Sequence, residues 1–306
     1  MRLGEAGVRN ALTIDVEDYF HVAALAAAID RRDWERCERR VERNTRRLLE
    51  LLDEHGLQAT FFVLGWVAER YPGLVRELAA AGHEIASHGY SHQLVYRQTP
   101  AEFRQETRHS KALLEDQVQR PVVGYRAASY SITRDSVWAL DILAELGFVW
   151  DSSIFPVRHD RYGIPAAPRW PHRLRTPAGH ALVEFPLSTW SLGGFRLPIA
   201  GGGYFRLYPY PLSRTGLASI NRQGRPFIFY LHPWEIDPEQ PRVKTSWLSS
   251  FRHYHNLERC EERLRRLLRD FHFSTVGQVL ADLGLLRDGE PVEGVAAVPV
   301  VPSASG

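Results

Sequence analysis

Short apolar runs alternate with stretches of helical periodicity through the first half of the chain. Ala11-Leu12-Thr13-Ile14 reads as a buried strand that ends in Asp15. From Glu38 to His55 the leucines Leu48, Leu49, Leu51 and Leu52 form an apolar stripe, and Gly56 supplies a stop. Ala59-Thr60-Phe61-Phe62-Val63 predicts a second strand, and Trp66 to Ala81 a helix that Pro72 divides in two. Glu84 to Ser87 is a third strand. Thr99-Pro100-Ala101-Glu102 then marks a helix start, with Thr as N-cap, Pro at the first position and Glu at the third. That helix is predicted to about Gln117, followed by a strand from Pro121 to Tyr125 and a helix from Arg134 to Leu146. Phe148-Val149-Trp150 is a strand ending in Asp151, and two further strands fall at Ala181–Phe185 and Pro226–Leu231. Such alternation implies an α/β protein with a mostly parallel sheet covered by helices. No Gly-rich dinucleotide turn follows the first strand, where acidic residues stand instead, so a distorted or incomplete (β/α) barrel is favoured over an open doubly wound sheet.

The pattern weakens between Phe155 and Pro211. This stretch is rich in Pro, Gly and aromatics, with Trp170, Trp190, Tyr204, Phe205, Tyr208 and Tyr210 around Gly201-Gly202-Gly203. Long irregular segments in compact domains often cover a site, although most of these rings are expected to pack the rim of the barrel. Trp190 and Tyr204 lie near the Gly-rich turn, where backbone can approach a ligand closely, and are candidates for stacking on substrate. One domain is expected over residues 11–287, after an extension at 1–10. From residue 288 the chain shows no pattern and is expected to be disordered.

Composition narrows the class. Hydrophobic residues make up 44% and charged residues 24%, ordinary values for a globular protein. A net charge of +2 argues neither for nucleic acid nor for an anionic membrane surface, and no nucleic-acid partner is expected. The two cysteines, Cys37 and Cys260, are too few for a disulfide framework. No apolar run approaches membrane-spanning length, and Met1 to Ala6 lacks the layout of a signal peptide. The expectation is a reduced, cytoplasmic protein, with its oligomeric state open.

The chemistry gathers where strands end. His88 and His92 stand four residues apart directly after the third strand, and Asp15-Val16-Glu17-Asp18 closes the first. Two imidazoles and a carboxylate from elsewhere form a facial N,N,O set for a divalent metal, zinc above all, with a position left open for water. Either Glu17 or Asp18 can supply that oxygen. Arg126 and His232 follow other strands in the same way, and strand C-terminal ends of such barrels converge on the face that carries the chemistry. The residues therefore read as a metal-dependent hydrolase.

These motifs resemble those of the NodB-type polysaccharide deacetylases, carbohydrate esterase family four. The resemblance rests on Ala59-Thr60-Phe61-Phe62-Val63-Leu64-Gly65, Gly82-His83-Glu84-Ile85, the His88 and His92 pair, Arg126 and Leu231-His232, and covers roughly residues 11–287. Asp15-Val16-Glu17-Asp18-Tyr19-Phe20, Gly201-Gly202-Gly203-Tyr204-Phe205-Arg206 and His232-Pro233-Trp234-Glu235-Ile236-Asp237 are similar to the branch associated with exosortase and exopolysaccharide gene clusters. The resemblance implies removal of N-acetyl groups from amino sugars of a bacterial polysaccharide. It implies Asp15 as base, Arg126 as its partner, His232 as acid, the Ser129 N–H in an oxyanion hole and an orienting role for Asp151. Trp234, next to His232, is a candidate either for one wall of the acetyl pocket or for packing beneath the loop. The chain departs from the family in two places: Val16 splits the usual pair of acidic residues, and Ala128 replaces a proline after the arginine. Alternative readings are a small-molecule C–N amidohydrolase or deformylase on the same scaffold, and a non-catalytic glycan-binding protein.

Overall fold

The computed structural model describes residues 7–159, 161–287, 290–291 and 298–299. Eight strands form one curled sheet, with neighbours in the order β10 (Ile228–Leu231), β1 (Arg9–Val16), β2 (Thr60–Val63), β3 (Glu84–Ser87), β4 (Gly124–Tyr125), β5 (Trp150–Asp151), β7 (Ala181–Glu184) and β6 (His172–Arg175). Every pair in that series is parallel except β6 with β7. A further strand, β11 (His272–Ser274), pairs parallel with the start of β1, and Val298–Pro299 pairs with β6. The arrangement is an incomplete (β/α) barrel, as expected from the alternating pattern.

The central strands are buried along almost their whole length, which is why they appear as continuous apolar runs rather than alternating ones. Helices α1 (Val41–Glu54), α2 (Gly65–Arg70), α3 (Pro72–Ala80), α4 (Pro100–Val118) and α5 (Trp138–Glu145) connect the first five strands. Pro72 separates α2 from α3, and Thr99 with Glu102 forms the expected capping box at the start of α4. The strands ending at Tyr125 and Asp151 are shorter than predicted, with two paired residues each.

The segment between Phe155 and Pro211 is not one irregular cover. It contains β6, β7, the hairpin β8 (Thr189–Leu192) with β9 (Phe195–Pro198), and α6 (Gly202–Leu207), and it leads into α7 (Tyr210–Asn221). Strand alternation is weak there because Thr189 alone of the β8 and β9 residues is buried. The chain continues through α8 (Trp247–Tyr254), α9 (Cys260–Asp270) and α10 (Val276–Asp282). Among the described residues no helix is long and apolar enough to cross a membrane. Residues 1–6 and, apart from the two short pairs named above, the tail from 288 lie outside the described residues.

Candidate active site

Five strands deliver side chains to one end of the sheet. Asp15 and Glu17 close β1, His88 follows β3, Arg126 follows β4, Ser152 follows β5 and His232 follows β10. Parallel register makes this convergence automatic: once the strands align, residues just past their C-terminal ends share a rim.

Arg126 is fully buried and organises the centre. Its Nη1 donates to Asp15 Oδ1 at 2.6 Å and to Thr13 Oγ1 at 2.8 Å. Nε and Nη2 donate to the carbonyl and hydroxyl of Ser152 at 3.2 and 3.0 Å. The guanidinium also stacks over Phe62, with Cζ 4.0 Å from the ring centre. A carboxylate held this way has one fixed orientation, with Oδ2 left for other partners.

Glu17, His88 and His92 form the second cluster, their ligand atoms all within 4.8 Å of one another. His88 Nδ1 donates to the Arg126 carbonyl at 2.9 Å, which leaves Nε2 with its lone pair for a metal. His92 Nε2 lies 2.7 Å from Glu17 Oε2, so these two ligand atoms already sit side by side. Burial opposes the charge on Glu17, but His92, with His232 and His88 behind it, holds the carboxyl far below its usual range. Burial pushes the His88 ring down to about 4, keeping it neutral as ligation requires. The donor set fits a divalent metal.

Asp18 does not join this cluster. Its Oδ1 accepts the Tyr19 N–H, and Oδ2 accepts the N–H groups of Arg40 and Val41 at 2.7 and 2.8 Å. Arg40 and Val41 open α1, so Asp18 caps a helix that has no side-chain cap of its own. Of the two acidic candidates, Glu17 reaches the histidines and Asp18 is committed to capping.

His232 completes the rim. Pro233 starts a short 3-10 turn, and Glu235 reaches back so that its Oε1 accepts from both the backbone N–H and Nδ1 of His232, at 3.1 and 2.6 Å. Nε2 is thereby aimed into the site, 3.9 Å from Asp15 Oδ2 and 3.6 Å from Glu17 Oε1. Burial works against the charged ring, yet the bond to Glu235 and the charges of Glu17 and Asp15 raise it to about 9. Glu235 is itself paired with buried Arg206 at 2.7 Å, and Arg206 also donates to the carbonyls of Arg252, His253 and His255.

The three aromatic candidates have these surroundings. Trp234 is buried, stacked between His232 and His253, and its Nε1 donates to Glu17 Oε1 at 3.2 Å. That bond fixes the orientation of the Glu17 carboxylate. Trp190 lies over Gly216 of α7, where an added Cβ would come within 3.1 Å of the indole. Tyr204 exchanges a 3.0 Å hydroxyl contact with Tyr162. The Gly-rich turn approaches the protein's own backbone: a Cβ at Gly201, with φ 129°, would sit 2.0 Å from the Tyr230 carbonyl on β10.

Ser129 and Tyr130 follow Arg126 with φ of 51° and 55°, and His92 has φ 51°. Such conformations are costly for non-glycine residues and tend to persist where surrounding structure fixes a functional loop. Asp151 lies below the rim on β5 and does not touch Arg126 directly; its carboxylate accepts from the hydroxyl and N–H of Ser153 at 2.6 and 3.0 Å. Sequence reasoning missed Glu235, Arg206 and Thr13. The capping-box spacing of His232 and Glu235 was a visible signal for the first, whereas nothing local marks Arg206 as a partner of residue 235.

Comparison with known proteins agrees with this arrangement. Residues 33–149 match the polysaccharide deacetylase family, and residues 152–281 match a domain of unknown function, DUF3473. Residues 33–149 thus carry a polysaccharide deacetylase domain. A chitooligosaccharide deacetylase of a Bradyrhizobium species is 32% identical over 97 residues, which cover 32% of this chain and 42% of that protein. A peptidoglycan-N-acetylglucosamine deacetylase of Bacillus cereus is 36% identical over 70 residues, 23% of this chain and 26% of the relative. Each match thus spans less than half of the relative. The fold of a Mycobacterium smegmatis protein assigned to the polysaccharide deacetylases superposes on this deacetylase domain with a TM-score of 0.57 at 20% identity, covering 92% of this chain and 93% of the other.

Proposed function

We propose that the protein is a metal-dependent hydrolase that removes N-acetyl groups from amino sugars of a bacterial polysaccharide. The observation that carries this reading is the meeting of three units on one rim: Asp15 with Arg126, Glu17 with His88 and His92, and His232 with Glu235. A divalent cation held by Glu17, His88 and His92, zinc by the donor set, would supply Lewis acidity toward the amide carbonyl and acidify a water. Asp15, held in orientation by Arg126, takes the proton of the attacking water. The Ser129 N–H, presented by its left-handed turn, donates to the oxygen on which charge develops. His232, charged at neutral pH and fixed by Glu235, delivers a proton from Nε2 to the departing amine, which otherwise leaves as a poor anion. Asp151 acts through the backbone that carries these groups.

The family relationship and the chitooligosaccharide and peptidoglycan relatives support a glycan substrate. The test is acetate release from N-acetylated chitooligosaccharides and peptidoglycan fragments, before and after chelation and after re-addition of zinc. Chelator-sensitive release restored by metal is the expected result. Release unaffected by complete metal removal would defeat the mechanism, and absence of release from every N-acetylated glycan would defeat the substrate class.

A further inference from the structure

We propose that Glu184 and Asp151 share one proton as a buried acid pair which, through Ser153, positions the Arg126–Ser129 loop; the catalytic consequence rests on the deacetylase reading above. The two residues are register partners on the parallel strands β5 and β7, and both are fully buried. Glu184 Oε1 accepts the Ile154 N–H at 3.0 Å, while Oε2 is buried and faces no donor. Its neighbour is the Asp151 carboxyl, which already accepts twice from Ser153.

An acceptor against an acceptor in a dry interior needs a hydrogen between them. The nearby charge is Arg126, whose hydrogen bonds go to Thr13, Asp15 and Ser152 and not to this pair; Tyr125 is the other titratable group facing it. Burial, and then the Asp151 charge, raises Glu184 well above the usual carboxylate range, while burial lifts Asp151 to about 6. Both carboxyls are thus pushed toward the protonated form, and one proton between them satisfies the pair.

The consequence falls on Ser153. Its single hydroxyl hydrogen goes to Asp151 Oδ1, so its oxygen can only accept, and it accepts the Ala127 N–H at 2.8 Å. Ala127 sits between Arg126 and the strained turn at Ser129 and Tyr130. The loop is thus tied to the end of β5 twice, by Arg126 to Ser152 and by Ala127 to Ser153.

Four variants of the full chain test this: Ser153→Ala, Ser153→Thr, Glu184→Gln and Glu184→Leu. Ser153→Ala is expected to lower kcat about tenfold to a hundredfold with KM and metal content unchanged. Ser153→Thr restores kcat. Glu184→Gln, whose amide can donate to Asp151, keeps kcat at the parental level, whereas Glu184→Leu behaves as Ser153→Ala. Two readouts do not need activity: an infrared band of a protonated carboxyl at neutral pH that vanishes in Glu184→Gln, and amide exchange at Ala127 that quickens in Ser153→Ala. No release by the parent would overturn the deacetylase reading alone, and these two readouts would still decide the pair. Absence of the carboxyl band, unchanged exchange in Ser153→Ala, or equal damage from Glu184→Gln and Glu184→Leu would overturn the proposal.

Discussion

Asp15, Glu17, His88 and Arg126 each lie at or just past a strand end, so parallel register alone brings them together. On the opposite side only His232 has that origin. Its support comes from Glu235 in a 3-10 turn, Arg206 in α6 and the carbonyls at the end of α8. One side is thus fixed by hydrogen-bonded backbone, the other by a buried ion pair whose members come from separate elements. The first kind of construction should separate chemistry from stability, because its side chains can change while the ladder persists. The second should couple them, because a buried charge without its partner is expensive.

The largest effect expected is on the strand-built side. His88→Ala or His92→Ala should abolish both bound metal, measured by elemental analysis, and acetate release, with the melting temperature close to the parent's. Glu17→Ala should do the same, while Asp18→Ala should keep its metal and instead lower stability by about 1 kcal/mol as a lost cap. Metal retained in a His88→Ala/His92→Ala double variant would remove the site assignment. Next comes Asp15→Asn, which keeps the shape and should cost roughly two to four orders of magnitude in kcat at full metal occupancy. Full activity in Asp15→Asn would place the base elsewhere.

A smaller and different response is expected from the other side. Arg206→Met leaves Glu235 buried with less compensation and should destabilise the fold by about 3–5 kcal/mol. The double variant Arg206→Met/Glu235→Gln should regain much of that stability but not the rate, since His232 has lost the carboxylate that aims and charges it. A pH dependence accompanies this. Burial opposes ionisation of Glu235, but Arg206 and His232 hold its carboxyl below its ordinary value of 4.5. Its stabilising contribution is therefore present above pH 4.5 and is lost as pH falls through the lower folded value. Denaturation midpoints of parent and double variant should converge below pH 4.5, and parallel curves would show that Glu235 contributes no such linkage.

The same contrast explains what could be read from the sequence. The strands ending at Asp15, Ser87 and Leu231 were visible as apolar runs, and the chemistry-bearing residues followed them directly. Pro72 and the Thr99–Glu102 box marked helix boundaries because their effects are local. Arg206 could not be found in this way, since its role depends on a partner 29 residues away that only tertiary packing brings near. The choice between Glu17 and Asp18 was likewise a tertiary matter: it turned on where α1 begins in space. The hairpin of β8 and β9 escaped because exposed strands lack the apolar signature that marked the buried ones.

Trp234 sits where the two sides meet. Replacing it by Phe preserves a ring between His232 and His253 but deletes the Nε1–H that holds Glu17. Loss of such an outer partner of a ligand typically costs about tenfold to a hundredfold in metal affinity, so Trp234→Phe should be rescued by excess zinc. Failure of excess metal to restore the rate would mean that the indole acts on His232 instead.

The smallest effect on turnover is expected from Trp190. Its ring covers Gly216 and stands beside Ile199 on the hairpin side of α7, a packing role. Trp190→Ala should therefore lower the melting temperature while leaving KM unchanged across a series of N-acetylated chitooligosaccharides of increasing length. A KM that worsened with chain length would show the hairpin taking part in an extended glycan groove. The site would then have a third construction, in which exposed rings on a two-stranded ribbon, held by neither sheet register nor a buried ion pair, contribute to binding.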